Sequence, residues 1–533
     1  MFTRRWVVDL VLDLAGYTPD KNLSTLVAVE PSAGEGAFLG PMVERLLASV
    51  ANQGGDVRDC GKALVAFELD GLSTERTRAL VRAELRKHRV PEITADALAT
   101  SWVRCGDYLV DSTSIEADFV VGNPPYIRAE EIPAEQAAFY RRCFPTMRGR
   151  ADIYIAFFEA ALLQLREHGT CAFICADRWM RNQYGGGLRE MITGGYALDV
   201  VVEMHEANAF EDEVDAYPAI TVIRKRAQQT TVVAAMPATV ENTAKSALTD
   251  ALLSGGVGPS VPGLRIARLD RWFQGDTPWP CQSPEQLELL RQLEDRFPLL
   301  EAYARVGIGV ATGNDGVFVT KNEKLVEPSR LLKLAMAKDL STGRLCWSGQ
   351  YLVDPWEREG LADLAAYPQL AAYFAEHETA LKRRHTAMNN PRNWYRTIDR
   401  VTHSLAAKRK LYIADIKDVL NPVLDDGETY PHHNLYFVAS EDWDLEVLGG
   451  LLLSAIGQFF VESYGVRMRG GYLRFQAQYL RRIRVPAPNS VTLNIAGELR
   501  EAFRARNRDQ ATAAALVAYG ISPTQLEAAI GHR

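Results

Sequence analysis

"STLVAVEPSAGEGAFLGPMVERLLASV", from Ser24 to Val50, decides the fold. An apolar run ends at Glu30, a turn containing Gly34 and Gly36 follows, and "GPMVERLLASV" opens an amphipathic helix. The glycines permit a tight turn and a close backbone approach, and the N-terminal amides of the helix offer donors to a polar ligand. The same alternation repeats outward. Strand-like runs end at Asp70 ("ALVAFELD"), Asn123 ("DFVVGN"), Asp177 ("GTCAFICAD"), Met204 ("ALDVVVEM") and Lys225 ("PAITVIRK"). Helical patterns lie between them, including "ADIYIAFFEAALLQLREHG", which the spacing predicts to stop at Gly169. Continuous apolar strands separated by helices predict a mostly parallel sheet covered on both faces. That is an α/β, Rossmann-like doubly wound domain, whose ligands sit beyond the carboxyl ends of the strands.

"TTVVAAM" adds one more strand, and "SGGVGPSVPG" from Ser254 to Gly263 has the composition of a loop. From about residue 290 helical patches such as "SPEQLELLRQLEDRF" mix with short strands such as "NLYFVAS". The expected division is an α/β domain over 1–240, a linker or insert over 241–290, and a mixed α+β domain over 291–533.

The chain has 533 residues, 47% hydrophobic and 24% charged, with a net charge of −7. These are ordinary globular values and exclude a uniformly basic coat, though not a basic stripe on one face. No apolar run reaches the roughly 20 residues of a membrane span, and charges interrupt the first 20 positions, unlike a signal peptide. Seven scattered cysteines without a Cys-x-x-Cys pair fit a reducing compartment, so a cytoplasmic location is expected.

Three acids fall at successive strand ends: Glu30, Glu68, and Asp107 in "RCGDYLV". Glu30 directly before the glycine turn suits a cationic ligand better than a pyrophosphate. Glu68 is placed to accept ribose hydroxyls, and Asp107 to accept from an adenine amino group. Any one of them alone is better explained as a helix cap or a solvated strand end. Together, beside a Gly34–Gly36 turn, they predict S-adenosylmethionine.

"DFVVGNPPYIRAE" then places Asn123-Pro124-Pro125-Tyr126 at a strand end. Two prolines hold the chain extended and fix the direction of the carbonyls. A ring amino group is a poor nucleophile because its lone pair is delocalised. Accepting both amino hydrogens, through the Asn123 side chain and the Pro124 carbonyl, counters that by positioning and electrostatics, without a strong base. Tyr126 offers a face on which an extruded base stacks.

With those residues in place, the chain resembles the amino-methylating DNA methyltransferases of the Asn-Pro-Pro-Tyr family. The likeness is to the adenine-N6 group with the cofactor half first and a target-recognition domain last, the gamma motif order of type II modification methylases. "FTRRWVVDLVLDLAG" resembles the family's N-terminal motif, whose threonine (Thr3) touches the cofactor. "EPSAGEGAF" resembles the cofactor loop, with Glu30 and Ser32 at the methionine part and Gly34 and Gly36 in the turn. Glu68 and Asp107 match the ribose and adenine acids, and Asn123 and Pro125 also border the cofactor. A second aromatic ring is implied by "EANAFEDEVDAYPAITVIRK", with Phe210 preferred and Tyr217 as alternative.

Two basic stretches in the second domain suit a double-stranded DNA partner. One, over 382–410, includes Arg392 and Arg396, and the other, over 464–486, includes Arg467, Arg469 and Arg474. "PHHN" at 431–434 lacks any matching acidic or cysteine cluster and is read as a polar turn, so no metal is expected. "GIGVATGNDGVFV" from Gly307 to Val319 is a glycine-rich loop whose role the sequence does not disclose. Without an obvious nuclease motif, methylation without cleavage is expected, by a monomer, with a separately encoded endonuclease as functional partner. The alternatives are cytosine-N4 methylation, an RNA or protein-glutamine substrate, and a non-catalytic DNA-recognition subunit.

Overall fold

The computed structural model describes residues 3–531, apart from 212–216, 240–244, 257–260, 271, 281–282 and 466–472. It divides into two compact units, Met1–Leu287 and Glu288–Arg533.

The first unit is built on nine strands: β1 (Ala28–Glu30), β2 (Leu64–Glu68), β3 (Val103–Cys105), β4 (Ala117–Gly122), β5 (Leu165–Ala176), β6 (Ala197–Glu203), β7 (Pro218–Arg224), β8 (Thr231–Ala235) and β9 (Arg265–Leu269). Their order in the sheet is β3-β2-β1-β4-β5-β7-β6-β8-β9. The pairs from β3 to β5 are parallel, while β7 runs antiparallel to both β5 and β6. The inner strands are apolar on both faces because both faces are covered. Phe119 and Val121 of β4 enter one core with helices α1 (Arg5–Ala15) and α2 (Leu39–Gln53). Val120, between them, enters the other core with the helix Tyr154–Gln164. Residues of period two are thus divided between two layers of helices, the doubly wound arrangement.

The order reverses between β1 and β4, which both leave their neighbours' carboxyl ends open to a ligand. In the sequence β3 and β9 have no clear apolar pattern. Two of the three β3 residues and most of β9 are exposed or half-exposed at the sheet edges.

Two expectations are corrected. The helix predicted to run to Gly169 ends at Gln164, and β5 begins at Leu165. The β4–β5 register shifts between Ala117 and Phe119. Arg166, Glu167 and His168 are exposed there, and His168 is left-handed at φ 66°. Gly169 stops no helix. A Cβ there would lie 2.8 Å from the Arg166 carbonyl, so the kink itself needs glycine. The segment 241–290, expected as a linker or insert, supplies the helix Lys245–Ser254 and strand β9 to the first unit, which runs to Leu287.

The second unit is mixed α+β. Antiparallel strands Arg305–Ile308, Leu435–Ala439, Lys410–Ala414 and Val423–Asp425 form one sheet. Helices Leu445–Leu453, Ala455–Tyr464, Leu493–Ala505 and Arg508–Tyr519 contribute to its apolar core. Among the described residues no single helix is long and apolar enough to cross a membrane.

Candidate active site

The ends of β1, β2, β3 and β4 open on a cavity of about 950 Å³. Its walls include Ser32 and Gly34 after β1, Glu68 at the end of β2, Asp107 after β3, and Asn123 to Tyr126 after β4. Sheet order thus gathers residues spread over nearly a hundred positions.

The glycine turn needs its glycines: Gly34 has φ 54° and Gly36 φ 88°. The turn is held from β2, where Glu68 Oε2 accepts from the Gly34 N–H at 2.8 Å and Oε1 from the Asp70 N–H at 2.9 Å. Each oxygen keeps lone-pair capacity for a hydroxyl. Ser32 Oγ donates to the Asn123 carbonyl at 3.0 Å, tying the cofactor turn to the Asn-Pro-Pro-Tyr turn.

Glu30 is 1% exposed, and its Oε2 has no hydrogen-bond partner. Burial, then the neighbouring Glu68 carboxylate, hold its carboxyl well above the usual range, against the lowering effect of the Leu39 and Phe38 amides. A buried carboxylate oxygen without a donor beside such a cavity fits a cationic ligand.

Asp107 is a cap as well as a wall. Its Oδ1 accepts from the Leu109 N–H at 3.0 Å, and its Oδ2 accepts from the Tyr140 hydroxyl at 2.6 Å.

Asn123 follows β4 directly. Its Nδ2 donates to Thr3 Oγ1 at 3.3 Å, and its Oδ1 is buried without a partner. The Tyr126 ring is half-buried and edge-on to Tyr154, with centroids 6.2 Å apart. Thr3 pairs its backbone with Phe210 in an antiparallel bridge. Thr3 is therefore brought to Asn123, and the backbone of Phe210 to Thr3. The Phe210 ring is 5% exposed in the first core. Tyr217 is half-exposed and edge-on to His205 at 4.9 Å.

Two features were not read from the sequence. One is Tyr140, on the helix Ala134–Cys143, where no local pattern marks it. The other is His205, with Nε2 3.0 Å from Asp177 and Nδ1 2.8 Å from Glu203. Burial alone would lower His205, but hydrogen bonds to Asp177 and Glu203 raise it to about 9. Two acids near a histidine at strand ends were the available signal, scattered over 28 positions.

In the second unit many cations of the basic stretches are bound internally. Arg384 donates to the carbonyls of Thr312, Trp394 and Arg396. Arg396 donates to Thr397 and Ile398 carbonyls over the Trp356 ring, and Arg474 pairs with Asp415 at 3.0 Å. Lys410 and Asp425 form an ion pair with both side chains fully buried. Arg392 is exposed. Arg467 and Arg469 lie outside the described residues. "PHHN" does have an acid in space: His432 Nε2 lies 3.0 Å from Asp315 Oδ2, and Asp315, His432 and His433 offer ligand atoms within 4.8 Å of one another. The glycine-rich stretch 307–319 delivers that aspartate, clasping the turn.

The fold and the cavity define a methyltransferase-type α/β unit carrying an Asn-Pro-Pro-Tyr turn. A family profile described as Eco57I restriction-modification methylase matches residues 76–210. The chain is 45% identical to the type II methyltransferase M.PaeR7I of Pseudomonas aeruginosa, over 100% of this chain and 93% of that protein. It is 42% identical to M.XhoI of Xanthomonas vasicola, over 98% and 97%. A solved structure of the type IIL restriction-modification enzyme MmeI in complex with DNA aligns with TM-score 0.54 and 12% identity, over 99% of this chain and 74% of that one. The chain belongs to the type II restriction-modification DNA methyltransferases. That family membership implies S-adenosylmethionine as methyl donor, and the unpartnered Glu30 oxygen and the Glu68 and Asp107 carboxylates suit it.

Proposed function

We propose that this enzyme methylates the N6 amino group of an adenine extruded from a defined sequence in duplex DNA. It belongs on this reading to the gamma motif order, with residues 291–533 as target-recognition domain. It works in the cytoplasm as a monomer and protects DNA from a separately encoded endonuclease. The reading rests on one observation above the others: Asn123 Oδ1 is buried in the cavity wall with no donor to satisfy it. Buried acceptors are nearly always paired, so one left open at a site points to a donor arriving from outside.

S-adenosylmethionine supplies a methyl group on a positively charged sulfur. Glu30 is placed to balance the charge of its methionine part, Ser32 and the Gly34–Gly36 turn to border it, Glu68 to accept the ribose hydroxyls and Asp107 the adenine amino group. Asn123 Oδ1 accepts one hydrogen of the target amino group and the Pro124 carbonyl the other, which draws the nitrogen lone pair out of the ring. Asn123 Nδ2 is engaged by Thr3, and Pro125 holds the turn extended. Tyr126 stacks on one face of the base and Phe210 borders the other, with Tyr217 as the alternative ring. No residue in this account needs a metal.

Modified-base sequencing of DNA from a methylation-free host expressing the protein, with Asn123→Ala as control, tests this. N6-methyladenine at one short motif, absent in the control, is the expected result. N4-methylcytosine would replace the product while keeping the site. Unmodified DNA from soluble, cofactor-binding protein would overturn the reading in favour of an RNA or protein-amide substrate.

A further inference from the structure

Asp107 is claimed twice. The proposed reading gives its carboxylate to the adenine amino group of the cofactor, while the Tyr140 hydroxyl already donates to its Oδ2 at 2.6 Å. Tyr140 comes from the helix Ala134–Cys143, which follows the Asn-Pro-Pro-Tyr turn rather than the cofactor strands. Its ring is 2% exposed, and Gln136, one turn earlier, donates to its hydroxyl at 2.5 Å. Both side chains line the same cavity as Asp107. Ala137 and Tyr140 are the buried residues of that helix, and its remaining faces are largely solvent-exposed.

We propose that Tyr140 is a positioning residue for the cofactor: its hydroxyl fixes the Asp107 carboxylate for the adenine amino group and fastens the helix Ala134–Cys143 over the adenine end of the cavity. A carboxylate oxygen accepts two hydrogen bonds, so tyrosine and cofactor share Asp107 without displacing one another. Leu109 N–H on Oδ1 and Tyr140 O–H on Oδ2 hold the group at both oxygens. Its remaining acceptor capacity then has a fixed direction, and less orientation is lost when the ligand arrives. Gln136 supplies a donor to the tyrosine oxygen, which directs the hydroxyl hydrogen to Asp107.

The inference rests on the assignment of Asp107 to the adenine amino group, and the test separates the two. Dissociation constants are measured by calorimetry, without DNA, for S-adenosylhomocysteine and for its inosine analogue, which has a carbonyl in place of the amino group. The proteins are wild type, Asp107→Ala, Tyr140→Phe and the double variant. Tyr140→Phe keeps the buried ring and loses only the hydroxyl, and unchanged melting without ligand confirms its fold.

The expected result is that Tyr140→Phe binds S-adenosylhomocysteine about 5- to 20-fold more weakly, loses less for the inosine analogue, and adds nothing in the Asp107→Ala background. Wild-type affinity in Tyr140→Phe beside a weakened Asp107→Ala would overturn the role of Tyr140 alone. Equal weakening for both ligands would reduce Tyr140 to packing. Wild-type affinity in Asp107→Ala would remove the assignment of Asp107 and the inference with it.

Discussion

The Asn123–Tyr126 turn and the basic stretch 382–410 both look functional in sequence, and the structure treats them in opposite ways. The turn leaves the Asn123 side-chain oxygen buried and unbonded. In the basic stretch Arg384 gives its guanidinium to four carbonyls, and Lys410 is paired with Asp425 out of contact with solvent. Polar capacity left open in a buried wall is costly and calls for a ligand, whereas capacity consumed internally builds architecture. Open groups should therefore cost activity when removed, and consumed groups should cost stability.

The sharpest contrast lies within the turn. Asn123→Ala should lower kcat by about 10²- to 10³-fold with cofactor affinity and melting temperature nearly unchanged, as measured by single-turnover methylation and thermal unfolding. Because Tyr126 is proposed to act through its ring face, Tyr126→Phe should keep near wild-type rate and stability. Tyr126→Ala should lose about 10- to 100-fold, because base–aromatic stacking is worth roughly 1–3 kcal/mol. A Tyr126→Phe variant as damaged as Tyr126→Ala would break the distinction.

Glu30 belongs with the open groups. Burial, and then the Glu68 carboxylate, hold its carboxyl well above the usual carboxylate range. A group whose folded pKa is raised stabilises the fold at low pH and loses that contribution as pH rises through the raised value. A cationic ligand favours the ionised form, so cofactor affinity should climb as pH rises above 4.5 through that range, with proton uptake by buffer on binding. Glu30→Gln should flatten the climb and bind more weakly at neutral pH. Calorimetry in buffers of different ionisation enthalpy reads both effects.

Within the second unit, Arg384→Ala should destabilise by about 2–3 kcal/mol, since each charged donor it withdraws leaves a carbonyl without its partner. Arg392→Ala, at an exposed position, should leave melting unchanged and lower DNA affinity, reducing the salt slope by about one. If Arg384→Ala weakened DNA binding at full stability, the basic stretch would be a phosphate surface after all.

This contrast also explains what the sequence made legible. Strands β1, β2 and β4 to β8 were readable because burial on both faces imposes continuous apolar runs. The edge strands β3 and β9 lack that imprint. The site was readable where geometry demands residue types, as at Gly34, Gly36 and Asn123-Pro124-Pro125-Tyr126. Tyr140, Thr3 beside Asn123, and Asp315 beneath His432 depend on chain crossings of 33 to 120 positions, which local spacing does not record. Charge was the least legible property, because an arginine is satisfied as well by carbonyls of its own chain as by phosphate.

His205 is the mildest test, a consumed group next to an open site. It bridges Asp177 and Glu203, and those hydrogen bonds, offset against burial, raise it from 6.5 to about 9. The charged imidazole therefore adds stability that is complete below pH 6.5 and lost as pH rises through about 9. Above that pH Asp177 retains Arg181, while Glu203 loses its cation. Wild type should lose a few degrees of melting temperature between pH 6.5 and 9 that His205→Gln does not lose. Because the Tyr217 ring packs edge-on to this imidazole, kcat should follow the same profile only if Tyr217, rather than Phe210, borders the target base. A rate independent of His205 would leave that role with Phe210, whose backbone is held by Thr3 instead.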